Sequence, residues 1–261
     1  RVFVTGGTGF IGSRVVRALV ARGAEVHCLA RPGSRRHRLD GLPVTYEPGD
    51  LFDRAALARG ARGADAVIHL ACASSWADVR ALGPRVHDVA VEGTRNVLDA
   101  AARAGVARVV HVSSVAALNA SERPEVLDES ARYAIADRRL AYSLAKRGAE
   151  AAAMEAAAAG LDVVVASPAE VFGPDDDAMV TAGSVADILR ATTSVACDGG
   201  TSLAHVDDVA EGVVLALERG RRGERYILGG DNLSVRALTE LVLRLAGRPA
   251  RVVEVPNAAA V

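Results

Sequence analysis

Short Val-rich runs alternate along the chain with Ala- and Arg-rich stretches of helical period. Val2 to Thr5, Glu25 to Ala30, Val44 to Glu47, Ala66 to Ala71, Arg108 to Ser113 and Asp162 to Ser167 read as buried strands. Between them, Phe10 to Arg22, Arg54 to Ala61, Val86 to Ala104 and Leu140 to Ala159 read as helices, with Gly23, Gly63, Gly105 and Gly160 placed to stop them. The Ala-rich stretch from Ala149 to Ala159 belongs to the last of these helices rather than to a linker, because Ala has the highest helix propensity. This alternation predicts an α/β fold built on a doubly wound parallel sheet.

Past Ser167 the rhythm loosens into a Gly/Pro/Asp segment. A helix from about Asp207 to Glu218, a strand at Glu224 to Leu228 and a helix from Ser234 to Ala246 follow. The expected organisation is a Rossmann-type domain over residues 1–167 and a small, reduced C-terminal region over 168–261. That region would sit over the carboxyl edge of the sheet, shaping a ligand pocket, with some of its elements returning to the first domain.

Composition narrows the field. With 50% hydrophobic residues, a chain of 261 residues can bury a substantial core. Aromatic residues make up only 3%, which disfavours binding of single-stranded nucleic acid by base stacking. The net charge is −1, and the one local basic cluster, Arg31 to Arg38, is short, so no nucleic-acid partner is expected. Cys28, Cys72 and Cys197 are too few and too scattered for a zinc site or a disulfide framework; no metal is expected, and a reducing cytoplasm fits best. No apolar run approaches the length of a membrane span, and residue 1 already begins a strand-like stretch, which leaves no room for a signal peptide.

TGGTGFIG, from Thr5 to Gly12, follows the first strand and opens the first helix. Gly6 suits a tight turn, Gly9 a close approach of backbone to phosphate, and Gly12 close packing of helix on strand, while the helix N-terminus supplies N–H groups and positive dipole. These features predict a dinucleotide site. An acid at the end of the second strand would bind ribose hydroxyls; the chain instead reads ARPGSRRHR from Ala30. Arg31, with Ser34 and Arg35 nearby, suits a 2′-phosphate, so NADP(H) is favoured and NAD(H) is the alternative. Asp50, in GDL after the third strand, is placed either to take the adenine amino group or to shape its own turn.

The chain holds a single lysine, Lys146, four residues after Tyr142 and therefore on the same helical face. A compact ammonium can sit beside a phenol and a ribose hydroxyl together, which a guanidinium cannot do as well. Ser113 and Ser114 follow the fifth strand. With TGGTGFIG and YSLAK, the stretches GDL at Gly49, HLAC at His69, VEGTRNVL at Val91, VSSVAAL at Val112, SPAEVFGP at Ser167 and HVDDV at His205 resemble the extended short-chain dehydrogenase/reductase superfamily over nearly the whole chain. The likeness is greatest to the branch holding dihydroflavonol-type reductases, 3β-hydroxysteroid dehydrogenases and a group known as hopanoid-associated sugar epimerases.

The resemblance implies that Ser114, rather than Ser113, orients a substrate oxygen, that Tyr142 transfers the proton, and that Lys146 binds ribose and lowers the phenol pKa. It implies a dinucleotide lying along Thr5, Gly6, Gly9, Phe10, Ile11 and Gly12, with Asp50 and Leu51 at the adenine end. Leu70, Ala71 and Cys72 would line its centre, and Pro168 and Val171 would lie beside the nicotinamide. Asp207 or Asp208 reads as a helix N-cap rather than a metal ligand. Three departures stand out. Ala90 replaces the usual Asn before VEGT, Ser167 replaces an Arg common in nucleotide-sugar enzymes, and the chain stops at Val261, short of the usual family length, through a reduced substrate region or a shortened chain.

Three functions compete: an NADP(H)-dependent ketone reductase or alcohol dehydrogenase, a nucleotide-sugar epimerase or dehydratase, and a non-catalytic dinucleotide sensor. From Pro174 to Ala204 there are five acids, including Asp175 to Asp177, and only one cation, Arg190. A diphosphate-bearing substrate wants the reverse, so a neutral, largely apolar carbonyl or alcohol is expected, such as a polyketide, steroid or flavonoid-like compound. The acidic triplet reads as a solvated loop, Glu170 divides evenly between pocket and surface, and a homodimer is compatible with the sequence.

Overall fold

The computed structural model describes residues 1–72, 76–118, 125–131, 140–249 and 251–256, without the side chains of residues 76–78 and 84. Its first half runs β1 (Val2–Thr5), α1 (Phe10–Ala21), β2 (Val26–Ala30), β3 (Val44–Pro48), α2 (Arg54–Ala61), β4 (Ala66–His69), α3 (Trp76–Leu82), α4 (Val86–Arg103) and β5 (Arg108–Val112). It continues with α5 (Ala141–Ala158), β6 (Val163–Pro168), β7 (Glu170–Phe172), α6 (Ala182–Arg190), β8 (Ser194–Cys197) and β9 (Gly200–His205). Last come α7 (Val206–Arg219), β10 (Arg225–Leu228), β11 (Asp231–Ser234), α8 (Val235–Leu245) and β12 (Val252–Val255). The glycines expected to stop helices stand just beyond α1, α2, α4 and α5.

Seven parallel strands form the central sheet in the order β10-β6-β5-β4-β1-β2-β3. The order reverses between β1 and β4, so the chain leaves the ends of these neighbours toward opposite sides and opens a crevice there. Alternation along β1 shows why both faces are covered. Val2 and Val4 pack with Val15, Val16 and Leu19 of α1 and Val213 of α7, while Phe3 packs with Leu57 of α2 and Val97 of α4. Phe3 is 1% exposed, worth about 1.5–3 kcal/mol of transfer free energy.

Sequence from both halves builds this sheet: β10 pairs with β6, and α7 covers the same face as α1. The loosened segment itself folds into small units that periodicity did not reveal, a three-stranded sheet β11-β9-β7 and the parallel pair β12-β8. Their strands are three to six residues long and mostly half exposed, too short and mixed to show a clear period.

Two expectations need correcting. His205, not Asp207 or Asp208, caps α7: its Nδ1 accepts from the Asp207 backbone N–H at 3.3 Å, and both aspartates lie in the first turn, where the helix dipole favours negative charge. The acidic triplet is a solvated loop only in part: Asp175 and Asp177 are exposed, but the residue between them is not. Asp176 is 7% exposed and accepts from the N–H groups of Val180, Thr181 and Ala182 at 2.9 to 3.1 Å. Burial works against its charge, but these donors outweigh it and hold the carboxyl below its ordinary value. Asp175 pairs with Arg14, and Asp177 with Arg38.

Candidate active site

The glycine loop leaves β1 at the switch point and turns into α1. Gly6 adopts φ +76°, and a Cβ there would lie 2.6 Å from the Ala71 backbone nitrogen, so the turn presses against the chain leaving β4. A Cβ on Gly12 would lie 2.1 Å from the Gly6 carbonyl oxygen, which fixes the helix start against the loop. Gly9 occupies the N-cap and supplies no side-chain acceptor, whereas α2, α7 and α8 are capped by Asp53, His205 and Ser234. The first-turn N–H groups of α1 therefore keep their donor capacity for an anion, and a pyrophosphate fits this cradle.

The other expected cofactor positions divide. Phe10 and Ile11 pack against the cluster of Val171, Ala204, Val206 and Val209, Pro168 ends β6 beside Leu228, and Leu70, Ala71 and Cys72 follow β4 at the crevice, each half-buried. Thr5 is fully buried, and its hydroxyl meets His69 Nδ1 at 2.7 Å; the side chain serves the fold rather than the crevice. Leu51 is half-buried against α4, where its backbone carbonyl accepts from Asn96. Asp50 Oδ1 accepts from the N–H groups of Phe52 and Asp53, which spends one carboxylate oxygen on its own turn.

In the basic cluster, Arg31 and Arg35 are exposed, Ser34 is half-buried, and Arg36 stacks over Tyr46 at 4.2 Å. Arg38, not singled out within the cluster, reaches furthest inward. It donates to the glycine-loop carbonyl of Thr8 at 3.2 Å, to the Asp175 carbonyl at 2.9 Å and to Asp177 Oδ2 at 2.7 Å. Its place seven residues past Arg31 gave no clue, because only folding turns the chain back over the loop.

At the other end of the crevice, α5 packs across the turn that follows β5. Lys146 is 5% exposed, its ammonium 3.4 Å from the carbonyl oxygens of both Val112 and Ser113 and 6.0 Å from the centre of the Tyr142 ring. Burial pulls its pKa down, but Cys72 and Tyr142, with a hydrogen bond to the Cys72 thiol and the charge of Glu150, more than compensate and hold it above the ordinary value. Tyr142 is half-buried. Ser114 is also half-buried and caps a single 3₁₀ turn by accepting from the Ala116 N–H at 3.2 Å.

Ser113 differs from its neighbour. It is 4% exposed, and its hydroxyl donates to Glu150, which leaves Ser114 as the more exposed of the two serines. Ala90 lies between helices, packed with Ala145 and Ala149, so this position is spent on the close approach of α4 to α5. Beneath Lys146, His69 and His111 tilt against each other with ring centres 5.4 Å apart. His69 joins Thr5 to Thr94, and burial, aided by the Lys146 charge, drives its pKa down to about 3. His111 is held neutral in the same way. Glu170 is half-buried, and burial pushes its carboxyl up against an opposing hydrogen bond from Thr201. Among the described residues, no group of three His, Cys, Asp or Glu side chains could hold a metal ion, and no helix is long and apolar enough to cross a membrane.

The chain resembles known proteins over this whole arrangement. It is 37% identical over 266 residues to 4-hydroxy-2-methyl-3-oxo-4-farnesyl-3,4-dihydroquinoline-1-oxide ketoreductase from Stigmatella aurantiaca, covering 100% of this chain and 77% of that protein. The crystal structure of gox2253 superposes with a TM-score of 0.88 at 34% identity, covering 99% of this chain and 78% of that one. A double mutant of DesIV, a dTDP-glucose 4,6-dehydratase from Streptomyces venezuelae solved with NAD and DAU bound, superposes with a TM-score of 0.83 at 31% identity, covering 98% of this chain and 84% of that one. The family model for the NAD dependent epimerase/dehydratase family matches residues 2–229. A glycine cradle at the switch point, a Tyr–Lys pair on α5 and these matches together establish that the chain belongs to this family, and with it to the NAD(P)-dependent oxidoreductases of extended short-chain dehydrogenase/reductase type.

Proposed function

We propose that the protein is an NADP(H)-dependent reductase of a ketone, or oxidant of the matching secondary alcohol, on a neutral and largely apolar small molecule. The observation that carries this reading is the burial of Lys146, its ammonium 3.4 Å from the carbonyl of Ser113, the residue before Ser114, and 6.0 Å from the centre of the Tyr142 ring. When bound, the dinucleotide supplies or accepts the hydride. Ser114 donates to the substrate oxygen and orients it, while Tyr142 delivers a proton to that oxygen as negative charge develops there. The Lys146 ammonium stabilises the charge left on the phenol oxygen, and its rigid seating removes the need to reorganise during the step.

Charge supports an apolar substrate over a nucleotide sugar. Arg190, the single cation from Pro174 to Ala204, pairs with Asp187, and Arg14 and Arg38 are engaged by Asp175 and Asp177. The ketoreductase named above acts, by its name, on a farnesylated ketone. For the cofactor, Arg31, Ser34 and Arg35 remain candidates for a 2′-phosphate, and Arg38 joins them because it touches the glycine loop. A reducing cytoplasm is the setting we infer from the sequence, and a homodimer is compatible with it.

The test is NADPH oxidation against a panel of polyketide, steroid, flavonoid and simple ketones, run beside a panel of nucleotide sugars. Turnover of a ketone, lost by about 100-fold or more in Tyr142→Phe while dinucleotide binding persists, is the expected result. Turnover of nucleotide sugars alone would overturn the substrate reading. Binding of dinucleotide without turnover on either panel would favour a sensor.

A further inference from the structure

Behind the candidate catalytic residues lies a buried chain of polar contacts that the proposed reaction does not use. Glu150 is one helical turn beyond Lys146 on α5 and 3% exposed. Its Oε2 accepts from the Ser113 hydroxyl, and its Oε1 accepts from Nε of Arg225 on β10 at 2.7 Å and from a second nitrogen of the same guanidinium. Arg225 also donates to the Glu129 carbonyl at 3.2 Å, and the Glu129 carboxylate accepts from the Ile227 N–H at 2.9 Å. The Glu150 carboxylate thus ties α5 to the end of β5 and to β10, and Arg225 extends the chain of contacts to the segment that includes residue 129.

We propose that Glu150 is a positioning residue that acts through Ser113 on both Lys146 and Ser114. The Ser113 hydroxyl is held by Glu150, its carbonyl receives the Lys146 ammonium at 3.4 Å, and its peptide bond leads directly to Ser114. Fixing this one residue sets two others. A buried carboxylate is costly unless paired and hydrogen-bonded; here Arg225 balances the charge and Ser113 takes the second oxygen, so the group is held in one orientation. Through space the same carboxylate favours the ammonium form of Lys146. The other groups facing Lys146 are Cys72 after β4, Tyr142 on α5, and the neutral imidazoles of His69 and His111 from β4 and β5, with Arg225 beyond Glu150.

This inference rests on the reading of Tyr142 and Lys146 as the reacting pair, and its test separates the two. Because Lys146 is the only lysine, lysine labelled with carbon-13 at Cε gives one side-chain resonance, whose titration needs no substrate. Glu150→Gln keeps an acceptor for Ser113 but removes the charge; the Lys146 midpoint and the alkaline limb of kcat are expected to move down by about half a unit or more. Glu150→Ala is expected to lower kcat about tenfold, with Gln at this position restoring most of that loss but not the alkaline limb. Should these variants fail to fold, Ser113→Ala, which deletes one oxygen, is expected to lower kcat about fivefold. A Lys146 titration and kcat unchanged in Glu150→Gln and Ser113→Ala, or a loss confined to thermal stability, would overturn the proposal. A wild-type protein inactive on every ketone, with the Lys146 midpoint still moved by Glu150→Gln, would instead refute the ketone reading and leave the Glu150–Lys146 coupling standing.

Discussion

Substitution of Gly12 by Ala tests the cradle at its tightest point. The new Cβ would lie 2.1 Å from the Gly6 oxygen, 2.8 Å from the Gly6 carbonyl carbon and 2.9 Å from Gly7 Cα. All three are backbone atoms, so no side chain can swing aside, and relief requires moving the start of α1 by on the order of 1 Å. That helix is anchored by Val15, Val16 and Leu19 against the sheet, so the strain cannot spread freely. Overpacking of this kind costs about 1–3 kcal/mol. For a chain of this size that is a fall in Tm of about 3–10 °C. The first-turn N–H groups move with the helix, and a misplacement of about 1 Å in a positioning group can cost about 100-fold, here expected in dinucleotide affinity. Thermal unfolding and fluorescence titration with NADPH measure the two effects. Gly183→Ala is the control, since the nearest atom to its Cβ is Met179 Cβ at 3.8 Å and its stability should hold. Gly12→Ala with wild-type Tm and NADPH affinity would refute the argument that the loop-to-helix contact shapes the site.

Cofactor preference and acid stability give two further tests. Arg31→Asp and Arg38→Gln are each expected to reduce the NADPH-to-NADH ratio of kcat/KM by about tenfold or more, the scale of a charge-assisted hydrogen bond to phosphate; an unchanged ratio in both would leave the 2′-phosphate without a site here. His69, at about 3, and His111 have folded pKa values depressed by burial, so the unfolded chain binds protons first. Their contribution to stability is complete above about 6.5 and is lost as pH falls through that value toward 3. Neither His111 ring nitrogen meets a partner among the described residues. His111→Leu should therefore retain stability near pH 7.5 and flatten the acid decline; urea unfolding across pH 4 to 8 measures this, and an acid decline as steep as wild type would refute it.

The sheet was legible because most of its strands are short, largely apolar, Val-rich runs and the helices between them end at glycines, features expected where both faces of a sheet are covered. The glycine loop and the Tyr142–Lys146 spacing were legible for a similar reason: each is local, its geometry set by one turn of backbone. Residues such as Asp176, Glu150 and Arg38 were not. Asp176 sits in a run of acids that suggests solvent, yet three backbone N–H groups bury it. Glu150 looks like any helical glutamate until β10 brings Arg225 against it from 75 residues away.

What the sequence alone determined is therefore the alternation of the main strands and helices up to Ser167, the phosphate-type turn and a Tyr–Lys pair on one helical face, all consequences of short-range periodicity and backbone conformation. Only the tertiary structure decided that Ser113 is spent on Glu150, that Ala90 serves helix packing, and that Arg38 rather than the more prominent Arg31 touches the glycine loop. Those assignments depend on which distant groups meet in a space from which water is excluded, and desolvation, unlike periodicity, is a property of the folded assembly.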